Sequence, residues 1–344
     1  MCGVVGIFDP LGKDVISRDL LSRMNETQYH RGPDEGGIHV EPGLGFGHRR
    51  LSIIDLSSGQ QPLFNEDGSV VVTYNGEIYN FQQLSTELKA LGHQFRTHCD
   101  TEVIVHAWEE WGEACVDRFR GMFAFGIWDR NREVLFLARD RLGIKPLYYA
   151  RMNDGKFIFG SELKSLRLYS GFSAEIDPLA VEEYFAFGYV PEPKTIYKGV
   201  SKLPPGFRLT VRRGQEQMRP EQYWDVSLSP QQQLSEAAAG AELIERLGEA
   251  VKLRMIAEVP LGAFLSGGVD SSAVVAAMAG SSQEPVNTCS ISFGDPAFNE
   301  SRYAAMVAER YKTAHRVEQV DPDDFDLVDH LADLYDEPFA DSSA

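Results

Sequence analysis

Cysteine is scarce in this chain of 344 residues: Cys2, Cys99, Cys115 and Cys289 are all there is, and no two form a CxxC pair. That spacing argues against a zinc site or a dithiol redox motif, and a free thiol at position 2 fits a reducing cytoplasm better than a disulfide scaffold. Basic charge is also short. Lys and Arg number 33 against 51 Asp and Glu, and the net charge of −18 is spread along the chain, so there is no basic patch for nucleic acid. No apolar run is long enough to span a membrane. The start, MCGVVGIFDP, lacks the basic leader and long apolar core of a signal peptide, which argues against secretion. No internal repeat is visible.

What is present suggests two domains, because the length exceeds one typical domain and 43% of residues are hydrophobic. Up to residue 211 the chain reads mostly as short strands. Residues 4–8, 44–48, 70–74, 123–128 and 134–138 are apolar, β-prone runs near turn residues. Leu84, Leu88 and Leu91 predict one helix, and Val103, Ala107 and Trp111 another. Strands outnumber helices, so antiparallel sheets with packed helices are expected for residues 2–211. Residues 212–234 are polar and turn-rich and read as a linker. From residue 235 the pattern changes. A helix with Leu243, Leu247, Val251 and Met255 leads into alternating strands and helices at 261–265, 271–278, 287–293, 301–311 and 314–320. Such alternation implies a parallel sheet.

Removal of Met1 would expose Cys2 as the first residue. Taken alone, Cys2 reads as a small hydrophobe opening a strand. Alternatively its thiol attacks a carbonyl while its own α-amine, with a pKa of roughly 7.7–8.0, serves as base. Gly3 would let the backbone approach a substrate. Four more segments bear on the choice: His30-Arg31-Gly32-Pro33-Asp34; residues 47–55, with Arg49 and Arg50 where a strand begins; Tyr74-Asn75-Gly76-Glu77, read as a strand ending in an Asn-Gly turn; and residues 97–102, with Asp100 just before a helix. Each has an ordinary explanation, such as a turn pair, a helix cap or a surface charge.

Together with Cys2 these segments resemble the class II glutamine amidotransferases, amino-terminal-nucleophile hydrolases with an αββα sandwich fold. The resemblance implies a glutamine site. Arg50 would pair with the substrate carboxylate through a charge-assisted fork and Asp100 with its ammonium. Glu77 and the stretch Leu51, Ser52, Ile53 and Ile54 would seat the head group. Asn75 and Gly76 would form the oxyanion hole beside catalytic Cys2.

Residues 266–272, SGGVDSS, lie between a predicted strand and helix. The plain reading is a Gly-rich turn; the functional one is a phosphate loop at a helix amino terminus. It is not a Walker A motif, since no GK[ST] is present. It resembles the SGGxDS signature of ATP pyrophosphatases. That resemblance assigns ATP contacts to Ser266, Gly267, Gly268, Asp270, Ser271 and Ser272, magnesium (Mg2+) to Asp270, and adenosine contacts to Phe264 and Phe293, where relatives commonly carry aliphatic residues. Residues 138–149 and 160–164 look like glutaminase segments facing the partner domain.

The whole chain thus resembles a glutamine-hydrolysing asparagine synthetase: a glutaminase at 2–211, a linker at 212–234 and the beginning of an α/β synthetase domain at 235–344. The later SGxGxDE loop and adenylation lysine are absent, so a fragment of a longer enzyme is expected. The implied substrates are glutamine, aspartate and ATP, with a possible homodimer. Two rivals remain: a related amidotransferase acting on another carboxylate, in polysaccharide or secondary metabolism, and a regulatory glutamine-binding protein with a dead synthetase. The acceptor carboxylate is not readable from this sequence.

Overall fold

Strand Gly3–Phe8 has no polar side chain and is buried along its whole length. A strand buried on both faces must lie inside a layered structure. Its alternate side chains enter two different cores. Val4 and Phe8 join Phe46, Val71, Trp128, Leu137, Phe159 and Leu209 between two sheets. Val5 and Ile7 join Leu21, Met24, Leu163 and Leu166, which come from helices. The period of two therefore sets the layer order.

The structure is a computed structural model that describes residues 1–12, 14–215, 218–229, 233–295, 299–320, 331 and 334–340. Parts of the expected linker (216–217 and 230–232) and the last residues, 341–344, lie outside the described residues. The chain separates into two units: Met1–Val226 with Leu331–Ala344, and Ser227–His330.

The first unit holds two six-stranded sheets. One runs Val200–Lys202, Tyr148–Arg151, Phe157–Gly160, Gly3–Phe8, Leu44–Arg50, Glu35–Glu41; the other runs Glu221–Gln222, Phe207–Arg212, Val134–Arg139, Gly121–Asp129, Val70–Ile78, Leu63–Phe64. Neighbours within each sheet are antiparallel. Helices Arg18–Glu26 and Leu163–Leu166 cover the first sheet, and helix Asp100–Trp111 packs on strand Val70–Ile78. This is the αββα sandwich. His48 Nε2 donates to the Tyr74 carbonyl at 2.9 Å and so ties one sheet to the other. Burial keeps that ring neutral, pushed down to about 3.

Three details depart from the sequence reading. Arg49 and Arg50 end their strand, Leu44–Arg50, rather than begin one. Asn75-Gly76 is not a turn: strand Val70–Ile78 continues through it, with Gly76 opposite Phe123 and Ile78 opposite Gly121. The glycine serves close approach instead, because a Cβ there would collide with the Met122 carbonyl oxygen. The first unit also runs on to Val226, past the expected linker start, because Glu221–Gln222 pairs with Phe207–Arg212 and the Tyr223 N–H donates to Gly206 O at 2.8 Å.

In the second unit, strands Gly262–Phe264, Asn287–Phe293 and Ala314–Val320 form a parallel sheet. Helices Glu236–Arg254, Val269–Ser281 and Ser301–Tyr311 accompany it. Leu265, Val275, Ala304 and Ala308 form one buried cluster, and Val251, Met278 and Val286 another. No helix among the described residues is long and apolar enough to cross a membrane.

Candidate functional site

Antiparallel pairing of Gly3–Phe8 with Leu44–Arg50, Gly3 facing Arg49, brings Cys2 to the end of the arginine strand. The Leu51 N–H there points at Cys2 Sγ, 3.4 Å away. Burial pushes the thiol pKa up, and the Leu51 contact opposes that in part. The free amine in this chain is that of Met1, held below its ordinary value by burial, with Arg31 and Lys145 pushing the same way. The Cys2 carbonyl accepts from Arg31 Nε at 2.9 Å, and Arg31 pairs with Glu162 at 3.0 Å. His30 reaches the same carboxylate at 3.0 Å. Two segments distant in sequence, 30–34 and 160–164, thereby hold the amino terminus in place.

A cavity of about 120 Å³ opens beside the thiol. Cys2, Arg50, Leu51, Ile53, Ile54, Asn75, Gly76, Glu77 and Asp100 line it. Ser52 is not on its wall; its N–H donates to Asp34 Oδ2 at 2.8 Å instead.

Arg50 is nearly buried. Its Nη1 donates to Glu35 at 3.1 Å, and its Nη2 to the Ile54 and Asp55 carbonyls at 3.1 and 2.6 Å. Those three bonds fix the guanidinium, and a guanidinium has five N–H groups, so donors remain for a carboxylate. Asn75 is 1% exposed, and neither its Nδ2 nor its Oδ1 has a hydrogen-bond partner. A buried amide with both ends unmatched costs stability, of order 1–3 kcal/mol per group, unless something else binds there.

Asp100 opens helix Asp100–Trp111; Cys99 is the N-cap and makes no side-chain cap bond, so Asp100 is not acting as a cap. Its Oδ2 accepts from Tyr74 Oη at 2.7 Å and from the Ile78 N–H at 2.9 Å. Burial pushes its carboxyl up. Burial, and then the Asp100 charge, pushes Glu77 up to about 8. Two adjoining carboxyls, Asp100 buried and Glu77 half-buried, favour holding a proton, or a cation, between them.

Sequence reasoning missed Gln61, Tyr74, Cys99, Thr101, Met122 and Lys145 on the cavity wall. Lys145 arrives through a turn organised by Asp140, whose carboxylate accepts from the Leu142, Ile144 and Lys145 N–H groups. The D-x-x-G pattern at 140–143 signals that turn, but nothing in it signals where the lysine goes. Gln61 Oε1 accepts from the Tyr74 N–H at 2.7 Å, a long-range contact with no local signature.

In the second unit, SGGVDSS joins strand Gly262–Phe264 to helix Val269–Ser281. Ser266 Oγ and Ser271 Oγ are 3.0 Å apart, and the Gly268 N–H donates to Ser266 Oγ at 3.2 Å. Asp270 lies exposed in the first helical turn, and Ser272 donates its N–H to Gly268 O at 3.0 Å. A separate cavity of about 270 Å³ is lined by Phe264, Ser266, Cys289, Ile291, Phe293 and Glu300 among others. It brings Phe264 and Phe293 together; Gly267, Gly268, Asp270, Ser271 and Ser272 are not on its wall.

Comparison with known proteins gives a consistent result. Residues 1–224 match the glutamine amidotransferase domain family, and residues 242–344 match the asparagine synthase family. Asparagine synthetase (glutamine-hydrolyzing) 1 of Bacillus subtilis strain 168 is 38% identical over 347 residues, covering 100% of this chain and 54% of that protein. Asparagine synthetase (glutamine-hydrolyzing) 3 of the same organism is 35% identical, covering 96% of this chain and 56% of that protein. A putative asparagine synthetase (glutamine-hydrolyzing) 2 of Methanocaldococcus jannaschii is 37% identical, covering 100% of this chain and 70% of that protein. The chain spans about half the length of the two Bacillus relatives.

Proposed function

The chain belongs to the family of glutamine-hydrolysing asparagine synthetases, and on that premise we propose that Cys2 hydrolyses glutamine to supply ammonia for aspartate amidation. The observation that carries the glutaminase reading is Asn75. Its amide is buried and unpartnered on a cavity wall shared with a thiol, a guanidinium and two carboxyls. That set complements glutamine at both ends. Arg50 takes the α-carboxylate, and Asp100 with Glu77 takes the α-ammonium. Asn75 Nδ2 and the Gly76 N–H face the amide carbonyl.

Once Met1 is removed, the Cys2 amine lies beside the same Arg31 and Lys145 charges, which favour its neutral, basic form. It accepts the thiol proton while sulfur attacks the amide carbon. Charge on the carbonyl oxygen is met by Asn75 and Gly76. Ammonia leaves with that proton, a glutamyl thioester remains, and water then releases glutamate.

In the second unit, the SGGVDSS loop holds ATP phosphates at the amino terminus of a 13-residue helix. Phe264 and Phe293 border the nucleoside. Asp270 offers a hard, exposed oxygen that fits Mg2+, which neutralises phosphate charge when bound. In the whole enzyme, aspartate, glutamine, ATP and water give asparagine, glutamate, AMP and pyrophosphate. Aspartate's β-carboxylate is activated by adenylation and ammonia displaces AMP. Four free cysteines fit a cytoplasmic setting.

The test is glutamate release from glutamine by the purified chain and by Cys2→Ala, with circular dichroism recorded on both. Turnover in the parent and none in an equally folded Cys2→Ala is expected; a variant that keeps turnover overturns the assignment. Pyrophosphate release by the whole enzyme, compared between aspartate and other carboxylic acids, tests the acceptor.

A further inference from the structure

Away from the glutamine cavity, two histidines and two glutamates from three parts of the first unit converge. Glu66 lies in the turn between strands Leu63–Phe64 and Val70–Ile78. His93 follows helix Phe81–Ala90. His106 and Glu109 are three residues apart on helix Asp100–Trp111 and so share a face. One ligand atom from each falls within 4.8 Å of all the others. Glu109 Oε2 is 3.1 Å from His106 Nδ1 and 3.7 Å from His93 Nδ1, and Glu66 Oε2 is 3.4 Å from His106 Nδ1.

A second observation concerns the outer side of each ring. His93 Nε2 is 3.3 Å from Glu110 Oε2, and His106 Nε2 is 3.6 Å from Glu102 Oε1. Both imidazoles therefore turn Nδ1 inward to the cluster and Nε2 outward to a carboxylate. That is the arrangement in which the ring donates its Nε2–H to an outer carboxylate, which fixes the tautomer and leaves the Nδ1 lone pair free for a metal. His106 is fully buried, and its Nε2 has no hydrogen-bond partner at the present spacing. Glu109 is oriented in turn, since Asn65 Nδ2 donates to its Oε1 at 2.7 Å.

We propose that Glu66, His93, His106 and Glu109 form a structural site for a divalent transition-metal ion of the zinc class. Two imidazoles with two carboxylates suit zinc better than magnesium or calcium, which prefer all-oxygen sets. Tetrahedral zinc with bonds of roughly 2.0–2.2 Å needs ligand atoms about 3.4 Å apart. The shorter separations already meet that, and the widest, at most 4.8 Å, closes by about 1.4 Å when an ion binds. Four protein ligands leave no open position, which makes the site structural. The sequence argument against zinc rested on cysteine spacing, and this set uses no cysteine. A bound ion would staple the helix that begins at Asp100 to the turn leading into the strand that carries Asn75.

The test uses the full chain, stripped with chelator, dialysed against zinc chloride and then against metal-free buffer. Zinc is counted by emission spectrometry, and melting is followed with and without zinc. A single retained ion per chain is expected for the parent and for Cys2→Ala, with none for His93→Ala or Glu66→Ala. Zinc should raise the parent's melting temperature by roughly 5 °C and leave His93→Ala unmoved. Absence of retained zinc in the parent overturns the proposal. Full retention in a folded His93→Ala, or loss in Cys2→Ala, overturns it as well.

Discussion

The Tyr74 hydroxyl donates to Asp100 Oδ2 over 2.7 Å, inside the protein and on the wall of the cavity beside Cys2. Asp100 Oδ2 also accepts the Ile78 N–H, so the carboxylate is held from one strand at two points. Burial pushes the Tyr74 phenol well above its ordinary pKa, so it remains a donor throughout the working range. Tyr74→Phe removes one of the two supports without changing the shape of the cavity. A hydrogen bond to a charged group is worth about 1.5–3 kcal/mol, so KM for glutamine should rise roughly tenfold or more while kcat changes little. Steady-state glutaminase kinetics decide the point. A fall in kcat at unchanged KM would mean that Asp100 does not hold the substrate head.

Asn75 gives the opposite split. Its amide is unpartnered in the free site, so replacing it with alanine takes away an unsatisfied group as well as a functional one. Asn75→Ala should lower kcat by roughly 10²–10³, as loss of an oxyanion donor does, and leave KM near its original value. The same variant should melt no lower than the parent. A large loss of stability would show that Asn75 serves the fold and has a partner in solution.

Glu77 predicts a pH effect in two measurements. Burial, and then Asp100, raises its carboxyl to about 8, far above the unfolded value of roughly 4.3. Between those two values the folded protein holds a proton that the unfolded chain has released, so stability declines as pH rises through this window. Glutamine brings an ammonium that favours the ionised carboxylate, so KM should fall as pH rises through about 8. Glu77→Gln should flatten both trends, with a high KM at every pH and a melting temperature that gains on the parent as pH rises. Parallel pH profiles for the two proteins would refute the shared-proton account.

The contrast between Asn75 and Lys145 shows how much could be read beforehand. Strands and helices carried their periods openly. Val4 and Phe8 against Val5 and Ile7, or Leu247, Val251 and Met255, announce their faces because local geometry fixes them, whereas Leu243, on the same expected stripe, is exposed. Cys2, Arg50, Asn75, Glu77 and Asp100, each singled out from a short motif with its own chemistry, come together on one cavity wall. Asn75-Gly76 lies on the cavity wall, but within a strand and not in the expected turn. The pair is common in turns, and only the neighbouring Met122 carbonyl, 46 positions further on, reveals that this glycine serves a strand crossing. Gln61 and Tyr74 meet on the cavity wall through a contact distant in sequence, and the local turn that carries Lys145 does not encode where that lysine goes. Glu66, His93, His106 and Glu109 stayed silent for the same reason, since their spacing matches no linear metal motif.

The phosphate loop offers a test confined to the second unit. Gly267 has φ of +85°, a region that L-residues with a side chain avoid. A Cβ there would also lie 2.5 Å from the Tyr303 carbonyl carbon and 2.6 Å from the Ala304 nitrogen, both backbone atoms of helix Ser301–Tyr311. Backbone in a packed helix does not step aside as a flexible side chain would, so either the loop or the helix must shift. The left-handed backbone alone costs about 1–2 kcal/mol for alanine, and the clash adds to it. Gly267→Ala should therefore lower the melting temperature of the second unit by several degrees, roughly 5 °C or more. The first unit shares none of these contacts, so its melting and its glutamine hydrolysis should be unchanged. Calorimetry on the full chain, with glutaminase rate as the control, separates the two. Parent-like melting of the second unit would show that the loop reaches its observed path without a glycine, and that Gly267 does not set the geometry of the phosphate site.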